Sequence, residues 1–274
     1  MTATTTFLAA IASLRRVTDN PIFVGVMWTA LSVAAVRTAL AWRSGYLRLA
    51  WLGVTRRKIR FSASALLRLR DASGYLLIET PARGEAAPYW GPLGGVIKYS
   101  GSAARQFAEL GVKDSTTPST SDDDMTHDLR VVVAGRNIHG FLSWFDKDRD
   151  RESSEYALRR ELQEELCSVG MPDAATVAAG MVFDEVRCAR RLFKDPADPF
   201  LYHYRRFFVL EPNDPRQVDE LVRLVKGAHD PRLDFVPEEA IRRGRYAQRN
   251  VGAHTLSFFE RNLTHARGDE PLSV

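Results

Sequence analysis

Glu161, Glu164 and Glu165 stand at i, i+3 and i+4 in the stretch Glu152-Ser-Ser-Glu-Tyr-Ala-Leu-Arg-Arg-Glu-Leu-Gln-Glu-Glu-Leu166. On an α-helix that spacing puts three carboxylates on one face. Like charges crowded this way repel unless a cation sits among them. A hard divalent ion such as Mg²⁺ takes oxygen ligands and bridges readily to phosphate oxygens. Glu161, Glu164 and Glu165 are therefore the candidate metal ligands. Leu158, Leu162 and Leu166 recur every four residues and can anchor such a helix to a core. A solvated Glu/Arg surface helix fits the same residues.

The elements that must position this helix read as a mixed α+β domain beginning near residue 60. Ser62–Arg70, the turn residues Asp71-Ala-Ser-Gly74 and Tyr75–Glu79 read as a β-hairpin. Tyr89-Trp90-Gly91-Pro92-Leu93-Gly94-Gly95-Val96 marks a tight backbone feature. There Gly94 and Gly95 either let a ligand phosphate or base approach or simply end a strand. Residues 101–145 look like an insertion, with a short helix at Ala103–Leu110 and a Ser/Thr/Asp-rich loop at Asp114–Asp128. Strands are expected at Leu129–Ala134 and Ile138–Phe145, paired as a hairpin, and at Val182–Arg190 and Tyr202–Leu210. Helices are expected at Ser153–Leu166, Val218–Val225 and Tyr246–Leu263. Residues 266–274 read as a loose tail.

The formal net charge of +4 hides an asymmetry. The first 70 residues carry eleven Lys/Arg against one acid, Asp19, and the remainder carries 27 Lys/Arg against 33 acids. A basic N-terminal quarter points to a membrane surface more than to nucleic acid, so no DNA or RNA partner is expected. Ile22–Val36 is free of charge, and a helix from about Pro21 to Trp42 is long enough for a bilayer core. A buried helix of a soluble protein is the alternative. A signal peptide fits less well, because the apolar core starts late and no small-residue cleavage site follows. Arg43, Arg48, Arg56, Arg57, Lys58 and Arg60 outnumber Arg15 and Arg16, so the positive-inside rule puts the C-terminal part in the cytoplasm. Residues 1–59 thus read as a membrane segment with a basic linker, and 60–265 as the second domain. Cys167 and Cys188 have no metal spacing and read as free thiols.

Arg160-Glu161-Leu162-x-Glu164-Glu165 resembles the core of the Nudix box, and Glu152 stands eight residues earlier, where the pattern G-x5-E-x7-R-E-U-x-E-E-x-G-U has its first glutamate. Trp90…Pro92-Leu93-Gly94-Gly95 resembles the glycine-rich strand end before the box, and His254-Thr255…Phe258-Phe259 resembles the last helix of that fold. The resemblance covers about residues 60–265 and implies a Nudix-like α/β/α sandwich with a mixed sheet. Two departures stand out: Asp146 and Cys167 replace the two glycines of the pattern. A long segment, residues 96–152, also separates Gly94-Gly95 from the box helix. Both departures speak against efficient hydrolysis.

A membrane segment joined to such a domain resembles the SMODS-associated NUDIX family, the transmembrane–NUDIX effectors of bacterial CBASS antiphage systems. The resemblance implies a cyclic oligonucleotide ligand made by a CD-NTase. It further implies self-association on activation and disruption of the inner membrane lipid, ending in abortive infection. Gly94, Gly95, Arg160 and Arg187 are then the expected ligand-binding residues, with Arg190, Arg191, Lys194, Arg205 and Arg206 as further cations. Tyr89, Trp90 or Tyr204 would stack on a base. The competing expectation is a membrane-anchored, Mg²⁺-dependent Nudix hydrolase of nucleoside diphosphate derivatives, with Glu165 and Glu152 as its catalytic carboxylates.

Overall fold

β1, Lys58–Leu67, is the strand on which the rest is laid. Its residues alternate between core and periphery, with Ile59, Phe61, Ala63, Ala65 and Leu67 all fully buried, as a period of two requires. The computed structural model describes Thr29, Ser32 and residues 46–55, 57–81, 87–114 and 127–260. The expected span from Pro21 to Trp42 lies outside these residues, apart from Thr29 and Ser32, which are helical. Among the described residues no helix is long and apolar enough to cross a membrane. A short helix, α1 (Tyr46–Val54), precedes β1.

Both edges of β1 are occupied. β10 (Leu201–Pro212) runs parallel along one edge over Lys58–Leu67. On the other, β8 (Arg130–Ala134) pairs with Lys58–Ser62 and β4 (Gly94–Val96) with Ser64–Leu66. β9 (Phe183–Lys194) pairs antiparallel with β10, and β6 (Lys113–Asp114) extends the far edge beyond β8. The segment read as an insertion thus supplies β6 and β8 to the main sheet. The expected Ser62–Arg70/Tyr75–Glu79 hairpin is corrected here. The turn exists, with Asp71 Oδ1 accepting from the Ser73 and Gly74 N–H groups, but only the Arg70–Tyr75 bridge joins its arms. With no free edge on β1, β2 (Tyr75–Thr80) pairs instead with β3 (Tyr89–Pro92) and with β11 (Leu233–Val236).

These strands form a second sheet, completed by β12 (Arg245–Tyr246) and β13 (Arg249–Val251). One face of the first sheet supplies Leu66, Ala189, Phe207 and Val209 to a cluster that the second sheet completes with Tyr75, Leu77, Trp90, Val236 and Val251. A small pair, β5 (Lys98–Tyr99) and β7 (His127–Asp128), follows β4, with helix α2 (Ala104–Glu109) between them.

The first sheet's opposite face is covered by α3 (Ile138–Phe145) and α4 (Ser154–Ser168). Ile138–Phe145 is a helix and not the expected strand. Ile138, Phe141, Leu142 and Phe145 fall at i, i+3, i+4 and i+7 and are all buried, and an eight-residue apolar run does not separate strand from helix by hydrophobicity alone. Phe61 holds Phe141 and Phe145 edge-on, each at 5.0 Å. The expected helix at Tyr246–Leu263 is also corrected. Ala247 and Gln248 take positive φ of 47° and 65°, which closes the β12–β13 hairpin in the manner of a primed two-residue turn. A 3₁₀ turn at Ala253–Phe258 follows. α5 (Pro172–Ala179), α6 (Pro215–Ala228) and α7 (Glu238–Arg243) complete the helices, and the expected Val218–Val225 helix lies within α6.

Candidate functional site: the carboxylate helix and its strand

Ser153 caps α4, its hydroxyl accepting from the Tyr156 N–H at 3.1 Å. Leu158, Leu162 and Leu166 are 0–1% exposed, each contributing about 1.5–3 kcal/mol by leaving water. They fix which face of the helix carries the glutamates. At its other end the helix runs through Cys167 and stops at Gly170, whose φ is +78°. The Gly170 N–H donates to Cys167 O and the Met171 N–H to Leu166 O, a Schellman stop. The glycine that ends the helix, Gly170, therefore stands three residues beyond the position where the Nudix pattern has its second glycine.

Glu152 and Arg160 form the brace that their spacing predicts. Glu152 is 3% exposed. It accepts from Arg160 Nε at 2.9 Å and Nη2 at 3.1 Å, and from the Lys98 N–H at 2.8 Å. Arg160 also donates to Val96 O at 3.0 Å and to Glu161 Oε1 at 2.6 Å. Burial alone would lower the Arg160 pKa, but Glu152 and Glu161 outweigh it and hold it above the usual range. The bidentate charge-assisted geometry suits a guanidinium and not an ammonium.

The paired glycines receive the helix. Glu165 Oε2 accepts from the Gly94 N–H at 2.9 Å. A Cβ on Gly95 would lie 2.0 Å from the Glu161 carboxyl carbon. Gly94 has φ +130°, and a Cβ there would come within 2.1 Å of Ala65 O. Burial first, then Glu161 and Glu164 as like charges, push the Glu165 pKa up to about 8 against the opposing Gly94 hydrogen bond. Burial likewise raises that of Glu161, partly offset by Arg160. Glu164 is more exposed and reaches Arg160 at 3.4 Å.

The three box carboxylates thus share one helix face but not one partner: Glu161 and Glu164 turn to Arg160, and Glu165 to the Gly94 N–H. Among the described residues no group of three or more His, Cys, Asp or Glu is close enough to hold a metal ion. In chemistry the donor set still fits a hard cation: it is all oxygen, and two of its members are held above the ordinary carboxylate range by burial and mutual repulsion.

The departures from the box have structural partners. Asp146 caps the C-terminus of α3 and ion-pairs with Arg206, a side chain that the sequence suggests only as one cation among several. Arg151, unforeseen, is 8% exposed. It lies 4.1 Å over the Phe145 ring and donates to Phe145 O and Glu152 O. It locks the approach to the box where a glycine loop would otherwise run. Its identity as Arg gave no signal in sequence.

The remaining expected ligand residues spread over both faces of the sheet. Register aligns Arg187, Val209, Leu66 and Gly94 in one row, and Arg187 donates to Phe259 O on the face away from α4. It is not brought together with Arg160. Trp90 and Tyr204 are 4% and 3% exposed core residues, whereas Tyr89 is half-buried at a strand edge.

Two sheets sharing one core, with a Glu152/Arg160-braced carboxylate helix docked on paired glycines, define a mixed α+β domain consistent with a Nudix-like fold. The family profile described as SMODS-associated NUDIX domain matches residues 58–259, and the chain belongs to that family. Neither a curated protein nor a solved structure gave a match. Membership suggests a CBASS-type effector role.

Proposed function

We propose that the chain is a receptor-effector in which the Nudix-like domain binds a cyclic oligonucleotide made by a CD-NTase and the N-terminal segment then disrupts the bacterial inner membrane. The observation that carries this is the use of the box. Its carboxylates are spent on the Gly94 N–H and on Arg160, and Asp146 and Arg206 close the place of the first glycine. The helix works as a structural brace in a domain of this family. The basic, apolar N-terminal quarter supplies the membrane-facing part. Ligand favours a self-associated state because it binds that state more tightly.

The test is cellular. The full chain is co-expressed with an enzyme that makes a cyclic oligonucleotide, and membrane potential is followed with a potential-sensitive dye. Depolarisation that needs both the second enzyme and residues 22–42 supports the proposal. Depolarisation that survives deletion of 22–42, or that occurs without the nucleotide, defeats it.

A second reading is favoured by the raised Glu165 pKa of about 8, which suits a proton acceptor near neutral pH. In a membrane-anchored Nudix hydrolase, Glu161, Glu164 and Glu165 would hold Mg²⁺. The ion would neutralise a diphosphate and lower the pKa of water. Arg160 and Glu152 would orient the helix, and Glu165 would take the proton. Mg²⁺-dependent turnover of nucleoside diphosphate derivatives, lost in Glu165→Gln, distinguishes this reading from the first.

A further inference from the structure

The first sheet carries a second array of charge on the face turned away from α4. Successive residues of a strand point to opposite faces, and three contacts fix which face is which. Gly95, paired with Ala65, meets Glu161 of α4. Phe61 meets Phe141 and Phe145 of α3. Arg206, paired with Ala63, reaches Asp146. The alternate set therefore faces the other way. Register aligns Arg130, Ser62, Arg205 and Arg191 in one row across β8, β1, β10 and β9. The neighbouring row holds Val132, Arg60, His203 and Phe193.

The two rows make a cationic floor with an aromatic centre. The Arg191 and Arg205 guanidinium groups lie 4.8 and 5.3 Å over the Phe193 ring. His203 stacks flat on the same ring at 4.8 Å. Arg205 is held down to about 10 by burial first, then by Arg191, Arg130 and Arg60 around it, with Tyr89 acting in the opposite sense. Asp128 stands 3.8 Å from Arg130, and Asp195 is engaged with His203 at 2.6 Å. Guanidinium groups gathered on one face offer an anion several donors at once.

The spacing indicates what kind of anion. Arg205 and Arg191 sit on adjacent strands, about 5 Å apart at the backbone, and Arg130 lies two strands further on, about 10 Å from Arg205. One phosphate does not span that row, whereas two phosphates of a nucleotide chain do. Guanidinium forks grip phosphate in two-point geometry. Tyr89, half-buried beside Arg205 and 6.0 Å from the His254 ring, offers a face on which a base can stack.

We propose that Arg60, Arg130, Arg191 and Arg205, with Phe193 beneath and Tyr89 alongside, form the phosphate-binding surface for a ligand with two or more phosphodiester groups. This assigns ligand binding to the face opposite the box helix, and it rests on the receptor reading above.

The test uses the full chain in detergent micelles. Binding of a panel of cyclic di- and trinucleotides is measured by calorimetry at several salt concentrations, alongside thermal stabilisation by inorganic pyrophosphate. Arg191→Ala with Arg205→Ala should weaken the best binder at least 30-fold and flatten the slope of log K against log salt by about 1.4, near 0.7 for each arginine–phosphate pair removed. Arg60→Gln, an exposed position, keeps the test open if the double variant does not fold, and should weaken binding about 5-fold. Arg223→Gln, an exposed arginine of α6 paired with Glu220, should bind as wild type. A panel member that binds all of these variants equally overturns the arginine face and leaves the receptor reading standing. If no panel member binds the wild type, the receptor reading fails and pyrophosphate decides the face alone. Stabilisation lost in Arg60→Gln but kept in Arg223→Gln supports it. Stabilisation of all variants alike, or of none, overturns it.

Discussion

Glu165→Gln is expected to stabilise the protein at alkaline pH. The glutamine carbonyl can still accept from the Gly94 N–H, while the buried charge is gone. The folded-state pKa is raised from 4.5 to about 8, so the folded protein holds this proton more tightly than the unfolded chain does. Stability is therefore lost as pH rises from about 4.5 to about 8, and the loss is complete above that range. At 1.36 kcal/mol for each pH unit the gap corresponds to a ceiling of about 5 kcal/mol. Relaxation of the side chain toward water reduces the expected value to about 2–3 kcal/mol. Glu161 shifts in the same direction and is present in both proteins, so the difference between them isolates Glu165. The assay is urea denaturation of wild type and Glu165→Gln at pH 5 and pH 8.5, without divalent ions. The variant should gain at pH 8.5 and match the wild type more closely at pH 5. A variant equally or less stable at pH 8.5, or a difference that does not change with pH, would refute the claim that a crowded, buried carboxylate is held there.

Three other substitutions probe the same construction. Arg160→Met strands Glu152, which is 3% exposed, and should cost about 3–5 kcal/mol in urea denaturation, with part recovered by adding Glu152→Gln. Gly94→Ala forces a Cβ to within 2.1 Å of Ala65 O at positive φ. It should cost more than about 3 kcal/mol, read as a lower thermal midpoint. Asp146→Gly restores the residue of the Nudix pattern but leaves Arg206, 6% exposed, without its carboxylate. A loss of about 1–3 kcal/mol is expected, with no gain of nucleoside diphosphate hydrolysis in a phosphate-release assay.

The box helix was legible because its register is strict. Glu152 to Arg160 spans the distance that a helix start and two turns must bridge, and the structure closes that pair at 2.9 Å. The long strand at Leu201–Pro212 was legible from its aromatic residues Tyr202, Tyr204, Phe207 and Phe208, and that at Phe183–Lys194 was read only as far as Arg190, because charged residues fill it. Pairing was not, because it depends on which edges are already filled: β1 has β10, β8 and β4 beside it, so β2 goes to another sheet. Ile138–Phe145 misled because its aromatic, apolar content also suits a strand, while only His139, Gly140 and Ser143 mark the exposed side of a helix. The β12–β13 turn hid because Ala247 and Gln248 adopt backbone angles that glycine or asparagine usually signals. The arginine face was scattered along the sequence at 60, 130, 191 and 205 and became a face only through register. Single arginines in alternating strands carry no such message.

The central claim is that the domain recognises a cyclic oligonucleotide without consuming it. The most direct measurement is equilibrium dialysis of the full chain in detergent against radiolabelled cyclic di- and trinucleotides with Mg²⁺, followed by chromatography of the recovered ligand. Saturable binding of one member, with the label returned as intact ligand, is the expected result. Mg²⁺-dependent conversion of the ligand that disappears in Glu164→Gln and Glu165→Gln, or no saturable binding of any member, would contradict it.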